Sequence, residues 1–151
     1  MNSEFKELLK LFEKYRVRYL IVGGYAVMKY SEPRFTKDID FWIAVDSDNA
    51  RAVFAALKDF GAPLTELSAE DFTDRESFYQ MGRPPVRVDI MMSIPGGDFE
   101  EAWLNREEIE IDSVKLLFIS RSDLIKTKKA SGRPQDMIDV LTLDETKEPE
   151  H

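Results

Sequence analysis

Residues 19–45 read YLIVGGYAVMKYSEPRFTKDIDFWIAV, and the fold turns on how this stretch is parsed. Tyr19 to Val22 is a short apolar run of strand length, Gly23-Gly24 interrupts it, and Tyr25 to Tyr30 suits a short helix. A turn around Glu32-Pro33 leads into Asp38–Val45, where apolar and polar residues partly alternate as in a strand. On that strand Asp38 and Asp40 lie two apart and project from one face, while Ile39 and Phe41 enter the core. Two carboxylates this close repel unless a cation or a proton sits between them. Trp42 shares their face by alternation. It could stack on a nucleobase, although packing under a neighbouring helix is the plainer reading.

Outward from this stretch the chain alternates helices and strands. Phe5, Leu8, Leu9, Phe12 and Tyr15 recur at helical spacing behind Ser3, a candidate N-cap. Asp46 or Ser47 caps a second helix carrying Ala52, Val53, Ala56, Leu57 and Phe60, and Gly61 ends it. Ala69 to Phe72 suits a helical turn. Ser77–Met81 and Val86–Met91 read as paired strands around Gly82-Arg83-Pro84-Pro85, and Asp98–Asn105 as a short helix anchored by Phe99 and Trp103. Glu107–Ile111 and Val114–Ile119 flank Asp112-Ser113, a two-residue hairpin turn. Ser120 with Asp123 opens a helix through Ala130, and Pro134 starts a last helix reaching Leu143. The expected fold class is α/β (α+β): a small mixed sheet flanked by helices, one domain over residues 1–143, then an acidic flexible tail over 144–151.

Composition narrows the chemistry. Of 151 residues 43% are hydrophobic, about 65 side chains, enough for one real core. There is no cysteine, and the one histidine is His151. Zinc sites of cysteine and histidine, disulfide scaffolds, thiol nucleophiles and Ser-His-Asp hydrolysis are thereby excluded. Catalysis would have to run on carboxylates, lysines, arginines, hydroxyls or a bound cofactor, and a metal would meet hard oxygen ligands that favour Mg²⁺ or Mn²⁺. The net charge of -8 suits a nucleic-acid backbone poorly. It is uneven: residues 98–112 hold seven acids and one base, whereas residues 120–133 hold five bases and one acid. No apolar run approaches the ~20 residues of a bilayer span, and the charged MNSEFKELLK start does not read as a signal peptide. A soluble, cytoplasmic protein is expected, without a membrane role.

Three features carry chemistry. Gly23-Gly24 permits close backbone approach to a ligand, and the amides of the following helix start offer partial positive charge to phosphate; taken alone, the pair reads as a tight turn. Asp38-x-Asp40 is the second. The third is Asp89 in Val86-Arg87-Val88-Asp89-Ile90-Met91, a lone acid that would otherwise be the polar face of an amphipathic strand.

Together the pattern resembles the nucleotidyltransferase superfamily that includes DNA polymerase beta. The run Gly23-Gly24-Tyr25-Ala26, Arg34, Thr36 and Asp38-Ile39-Asp40 is similar to the GG-x-A … R-x-T-x-D-[IL]-D motif of small bacterial nucleotidyltransferases. Lys128 followed by Arg133-Pro134-Gln135-Asp136 and Asp139 is similar to their second signature. Lincosamide and aminoglycoside adenylyltransferases and abortive-infection toxins belong to that group. The resemblance spans about Val17 to Leu143 and implies a nucleotidyltransferase-like fold.

The resemblance also implies a metal-dependent enzyme that moves a nucleoside monophosphate from an NTP to an acceptor hydroxyl. Asp38, Asp40 and Asp89 would be both the catalytic residues and the ligands of Mg²⁺ (or Mn²⁺), with Asp89 orienting or deprotonating the acceptor. Gly23 and Gly24 would cradle the β- and γ-phosphates, with Lys128, Arg34, Thr36 and Arg133 as further nucleotide-binding residues. From the residues alone, Lys126, Lys128 and Lys129 could equally form a solvated helix face. Likewise Asp136 could cap the last helix or pair with Arg133, and Asp139 could be a surface acid. Acceptors in related proteins are small antibiotics, tRNA 3′ ends and protein side chains; nucleic acid enters only as a tRNA acceptor. A toxin–antitoxin or defence pair with a cognate protein partner is a further option. The competing reading is a non-catalytic module of the same fold that binds nucleotide or a partner; loss of a carboxylate would favour it, and all three are present.

Overall fold

The computed structural model describes residues 2–31, 38–83 and 86–145. In chain order the elements are α1 (Ser3–Lys14), β1 (Tyr19–Val22), α2 (Gly23–Tyr30), β2 (Asp38–Ile43), α3 (Ser47–Phe60), a 3₁₀ turn (Ala69–Thr73), β3 (Phe78–Arg83) and β4 (Val86–Met91). Then follow α4 (Phe99–Leu104), β5 (Glu107–Ile111), β6 (Val114–Phe118), α5 (Arg121–Ser131) and α6 (Pro134–Glu145). The strands form one mixed sheet in the order β3-β4-β2-β1-β6-β5. β1 runs antiparallel to β2 and parallel to β6, β2 is parallel to β4, and the hairpins β3–β4 and β5–β6 close the two edges. The expected mixed sheet flanked by helices is what the chain builds.

Burial explains the layering. β1 is buried at every position, as a central strand covered on both faces should be. The stripe Phe5, Leu8, Leu9 and Phe12 of α1 faces the sheet, where the Phe12 ring meets Tyr19 at 5.2 Å and Phe41 at 5.1 Å. That face of β2 carries Ile39, Phe41 and Ile43, all fully buried. The opposite face carries Asp38, Asp40 and Trp42. Trp42 is 2% exposed and meets the Phe99 ring edge-on at 5.2 Å. Any Cβ on Gly97 would come within 2.8 Å of the indole, so the ring is locked under α4 and base stacking is closed to it. The edge strand β5 is mostly exposed, and its glutamates discourage pairing with another sheet.

Most helix ends follow their sequence signals. The Asp46 and Ser120 side chains accept the amides of Asn49 and Asp123, Gly61 (φ 89°) and Gly132 (φ 67°) end α3 and α5 in the left-handed region, and Asp112 and Ser113 take φ of 51° and 66° in the hairpin turn. Several boundaries differ. β2 ends at Ile43 rather than Val45, β3 runs Phe78–Arg83 rather than Ser77–Met81, and β6 ends at Phe118 rather than Ile119. Asn2 rather than Ser3 caps α1, its Oδ1 accepting the Glu4 amide at 2.7 Å. α2 starts at Gly23 rather than Tyr25. α6 continues past Leu143 to Glu145; the rest of the expected tail, like the turn at Glu32-Pro33 and Pro84-Pro85, lies outside the described residues.

One buried polar side chain ties three elements together. Asn49, 5% exposed, donates from Nδ2 to the Ala44 carbonyl (2.8 Å) and the Arg18 carbonyl (3.0 Å), and accepts the Arg18 amide at 2.7 Å. It joins the entry to β1, the exit of β2 and the first turn of α3. Asn49→Ala leaves those backbone groups without partners and should lower stability by roughly 2 kcal/mol, read from urea unfolding at constant m. A loss below ~0.5 kcal/mol, the range of ordinary surface changes, would contradict this role.

Candidate active site

The site is made by strand register. β2 and β4 pair in parallel with Asp40 opposite Asp89 and Asp38 opposite Arg87, so four charged side chains leave the sheet on one patch of one face. Arg87 Nη2 lies 2.8 Å from Asp38 Oδ2 and 3.4 Å from Asp89 Oδ2. Gln80 on β3, opposite Asp89 in the hairpin register, donates to Asp89 Oδ1 at 2.9 Å. Burial, a hydrogen bond that the protonated Asp40 donates to Asp89, and the charges of Asp89 and Asp38 push the Asp40 carboxyl up to about 7, with Arg87 opposing them. Asp40 therefore keeps its proton up to about pH 7.

Gly23 closes the floor. Its φ is 66°, and a Cβ there would stand 2.0 Å from Asp40 Oδ2. Only glycine both adopts that backbone and leaves room for the carboxylate. The α2 start thus meets the aspartates at close range, as the sequence pattern suggested for Gly23. Gly24 is in the first turn of α2 and does not line the cleft.

The far wall comes from α5 and α6. Lys128 Nζ lies 2.9 Å from Asp139 Oδ2 and 3.3 Å from Asp136 Oδ1, and Arg133 Nε donates to Asp136 Oδ2 at 2.8 Å. The Lys128 side chain is 11% exposed, so it faces the cleft and is no solvated helix face; the exposed lysines of that run are Lys126 and Lys129. Asp139 is buried rather than a surface acid, and Asp136 pairs with Arg133 and Lys128 together. Burial raises Asp136, but hydrogen bonds from Arg133 and Ser131 and the Lys128 charge outweigh it and hold the carboxyl at about 2. The Arg133 side chain is 77% exposed at the cleft mouth, and its hydrogen bond to Asp136, with the charges of Asp136 and Asp40, raises its pKa.

These groups line one cleft of about 350 Å³. A larger hollow of about 510 Å³ lies around Trp42, Asp46 and Phe99, but Asp46 and Glu100 there are both engaged by Arg18, at 2.9 and 2.7 Å. The structure brings together Gly23, Asp38, Asp40, Asp89, Lys128 and Arg133; Arg34 and Thr36 lie outside the described residues. Sequence reasoning missed Arg87 and Gln80. The signal for Arg87 was present: it precedes Asp89 by two and must share its face. Among the described residues no three acids are preassembled as a metal cage, and Arg87 stands between Asp38 and Asp89 instead.

Two aspartates on one strand, a third on its parallel neighbour and a glycine turn beneath them are the arrangement the sequence pattern led us to expect, set on a mixed sheet flanked by helices. The chain belongs to the family described as nucleotidyltransferase of unknown function (DUF6036), whose model matches residues 1–144. No curated protein matches the sequence. Among solved structures, the lincosamide antibiotic adenylyltransferase LnuA with bound lincomycin is 19% identical at a TM-score of 0.61, covering 97% of this chain and 98% of that one. An antigenic nucleotidyltransferase-like protein from Paracoccidioides brasiliensis is 16% identical at a TM-score of 0.56, covering 99% of this chain and 80% of its own. These likenesses establish the fold; the family establishes a nucleotidyltransferase.

Two outcomes follow from the geometry. Asp40 binds its proton more tightly folded than unfolded, so its stabilising contribution is full below the ordinary carboxylate pKa and is lost as pH rises through about 7. In EDTA, the urea midpoint of the parent should therefore fall between pH 5 and pH 8 more than that of Asp40→Asn; equal slopes would refute the raised Asp40 pKa. Gly23→Ala should cost about 2 kcal/mol or more from left-handed strain and the clash with Asp40, whereas Gly24→Ala should be close to neutral or stabilising, both read by thermal unfolding.

Proposed function

We propose that this nucleotidyltransferase transfers a nucleoside monophosphate from an NTP to an acceptor hydroxyl with the help of Mg²⁺ (or Mn²⁺) held by Asp38, Asp40 and Asp89. The observation that carries this reading is the Asp40–Asp89 register pair. Three carboxylates on one patch are offset by the proton that Asp40 holds up to about pH 7 and by the Arg87 guanidinium, so the site has positive charge at hand wherever its acids would otherwise repel. All-oxygen donors of this kind suit hard divalent ions, so the residues fit the group. When bound, such ions supply charge that steadies the triphosphate and lowers the pKa of the attacking hydroxyl.

This chain's residues account for the rest. The Gly23 turn admits the phosphates against the start of α2. Arg133, exposed at the mouth, reaches toward the leaving pyrophosphate. Lys128 contributes its charge from below, already oriented by Asp136 and Asp139. The acceptor oxygen forms a bond to the α-phosphorus as the bond to the bridging oxygen breaks; pyrophosphate leaves, and Asp89 takes the acceptor proton.

The surface favours a small-molecule or protein acceptor over tRNA. Of the five bases in residues 120–133, Lys128 is enclosed by Asp136 and Asp139, and Arg121 binds the Tyr30 carbonyl at 3.0 Å. Lys126, Lys129 and Arg133 of that run are exposed, few for a salt-resistant RNA contact on a chain of net charge -8. The lincomycin bound to LnuA is a precedent for a small acceptor on this fold. A role within a toxin–antitoxin or defence pair is compatible with a protein acceptor.

The test is labelled-NTP transfer onto a cell extract with Mg²⁺, resolved into RNA, protein and small-molecule fractions, with the four NTPs compared. Label should enter the protein or small-molecule fraction, and Asp38→Asn should lower transfer about 100-fold or more, beyond what loss of an outer-shell metal partner costs. Transfer unchanged in Asp38→Asn with Asp40→Asn would refute the roles of these aspartates, and no transfer by the parent would reduce the protein to a binding module.

A further inference from the structure

We propose that Arg87 is an exchangeable counter-cation of the aspartate site, holding Asp38 and Asp89 in the metal-free protein and yielding them when a divalent cation binds. The inference rests on the metal reading above and concerns what becomes of the Arg87 guanidinium when the ion binds.

Three observations carry it. First, one guanidinium nitrogen bridges carboxylates from two different strands, at 2.8 Å from Asp38 and 3.4 Å from Asp89, which is where a bridging cation would be needed. Second, the seat is a poor one for an arginine. Its Nε is buried with no hydrogen-bond partner among the described residues, the Asp89 contact is long, and Asp89 is also held by Gln80. A buried donor left unpaired costs free energy, so charge rather than hydrogen-bond geometry keeps the group in place. Third, it is free to leave. The side chain is 34% exposed and lines the open cleft on a flexible stem.

Lys128 shows what a permanent partner looks like in the same cleft. It is 11% exposed and held at 2.9 and 3.3 Å by two aspartates themselves 4% and 5% exposed, all on α5 and α6. Such a buried pair is costly to open. Arg87 has neither that enclosure nor that satisfaction. If it were simply a strand-to-strand tie, removing it would weaken the site for metal as well as the fold. As a competitor for the same oxygens, its removal strengthens metal binding while weakening the metal-free protein.

The experiment measures Mn²⁺ binding to the EDTA-stripped full chain by calorimetry, with thermal unfolding in parallel, for the parent, Arg87→Gln, Arg87→Lys and Asp38→Asn. Arg87→Gln should bind Mn²⁺ about tenfold more tightly, have a lower Tm in EDTA, and gain more Tm on adding Mn²⁺ than the parent does. Arg87→Lys, which keeps the charge with a shorter reach, should fall between the two. Should Arg87→Gln not fold, Arg87→Lys at parental affinity overturns the proposal. Asp38→Asn should lose the binding. Mn²⁺ binding that depends on Asp38 but is equal or weaker in Arg87→Gln overturns the exchange and leaves the metal reading standing. No Asp38-dependent binding in either parent or Arg87→Gln removes both.

Discussion

Charge repulsion among Asp38, Asp40 and Asp89 is the constraint around which the rest of the molecule is arranged. The parallel register of β2 and β4 sets Asp40 opposite Asp89 and gives the acids no way to separate without breaking a central strand pair. The fold answers in two ways on the spot: a proton held by Asp40 up to about pH 7, and the Arg87 guanidinium between Asp38 and Asp89. Buried, unbalanced charge is costly enough that a site of this kind persists only where it is used or compensated. Gly23 belongs to the same constraint, because the space that its missing side chain leaves is filled by Asp40.

The α5–α6 pair is a second, self-contained answer to the same electrostatics. Lys128 and Arg133 bring positive charge to the cleft, yet each is held by Asp136, and Lys128 by Asp139 as well. The wall is therefore preorganised, with its cations oriented before any phosphate arrives, which is how a binding site lowers the cost of ordering side chains around a ligand. The same pairing takes Lys128 off the surface and offsets the charge of Arg133, which stays exposed. The acidic run is treated alike: Glu100, Glu107 and Asp112 meet Arg18, Lys29 and Lys6, at 2.7, 2.6 and 2.5 Å. Local charges of +4 and -6 in the sequence are far smaller as fields in the fold.

Legibility differed by element for physical reasons. The three carboxylates and the glycine turn were readable because each is a local property: side chains two apart on a strand share a face, and a turn between strand and helix needs glycine. α1, α3 and the β5–β6 hairpin were readable because their apolar period and their caps are also local. Asp139 and Lys128 were not, since a helix carrying charges at several positions does not reveal which of them faces a second helix. Trp42 shared the aspartates' face by alternation, and only α4 and Gly97 above it decided that the ring is core.

Composition and spacing by themselves bounded the chemistry available: no thiol, a single histidine, three aspartates on two strands and a glycine turn, which leave carboxylate oxygens as the expected ligands. They could do so because residue type and local period need no partner to be read. Tertiary structure alone decided which charges meet. Arg87 became part of the site through a strand register, and Lys128 and Arg133 through helix packing, both of which join residues far apart in the chain. Electrostatic energies depend on distance and burial rather than on sequence position, so the count of acids and bases was legible from the start and their pairing was not.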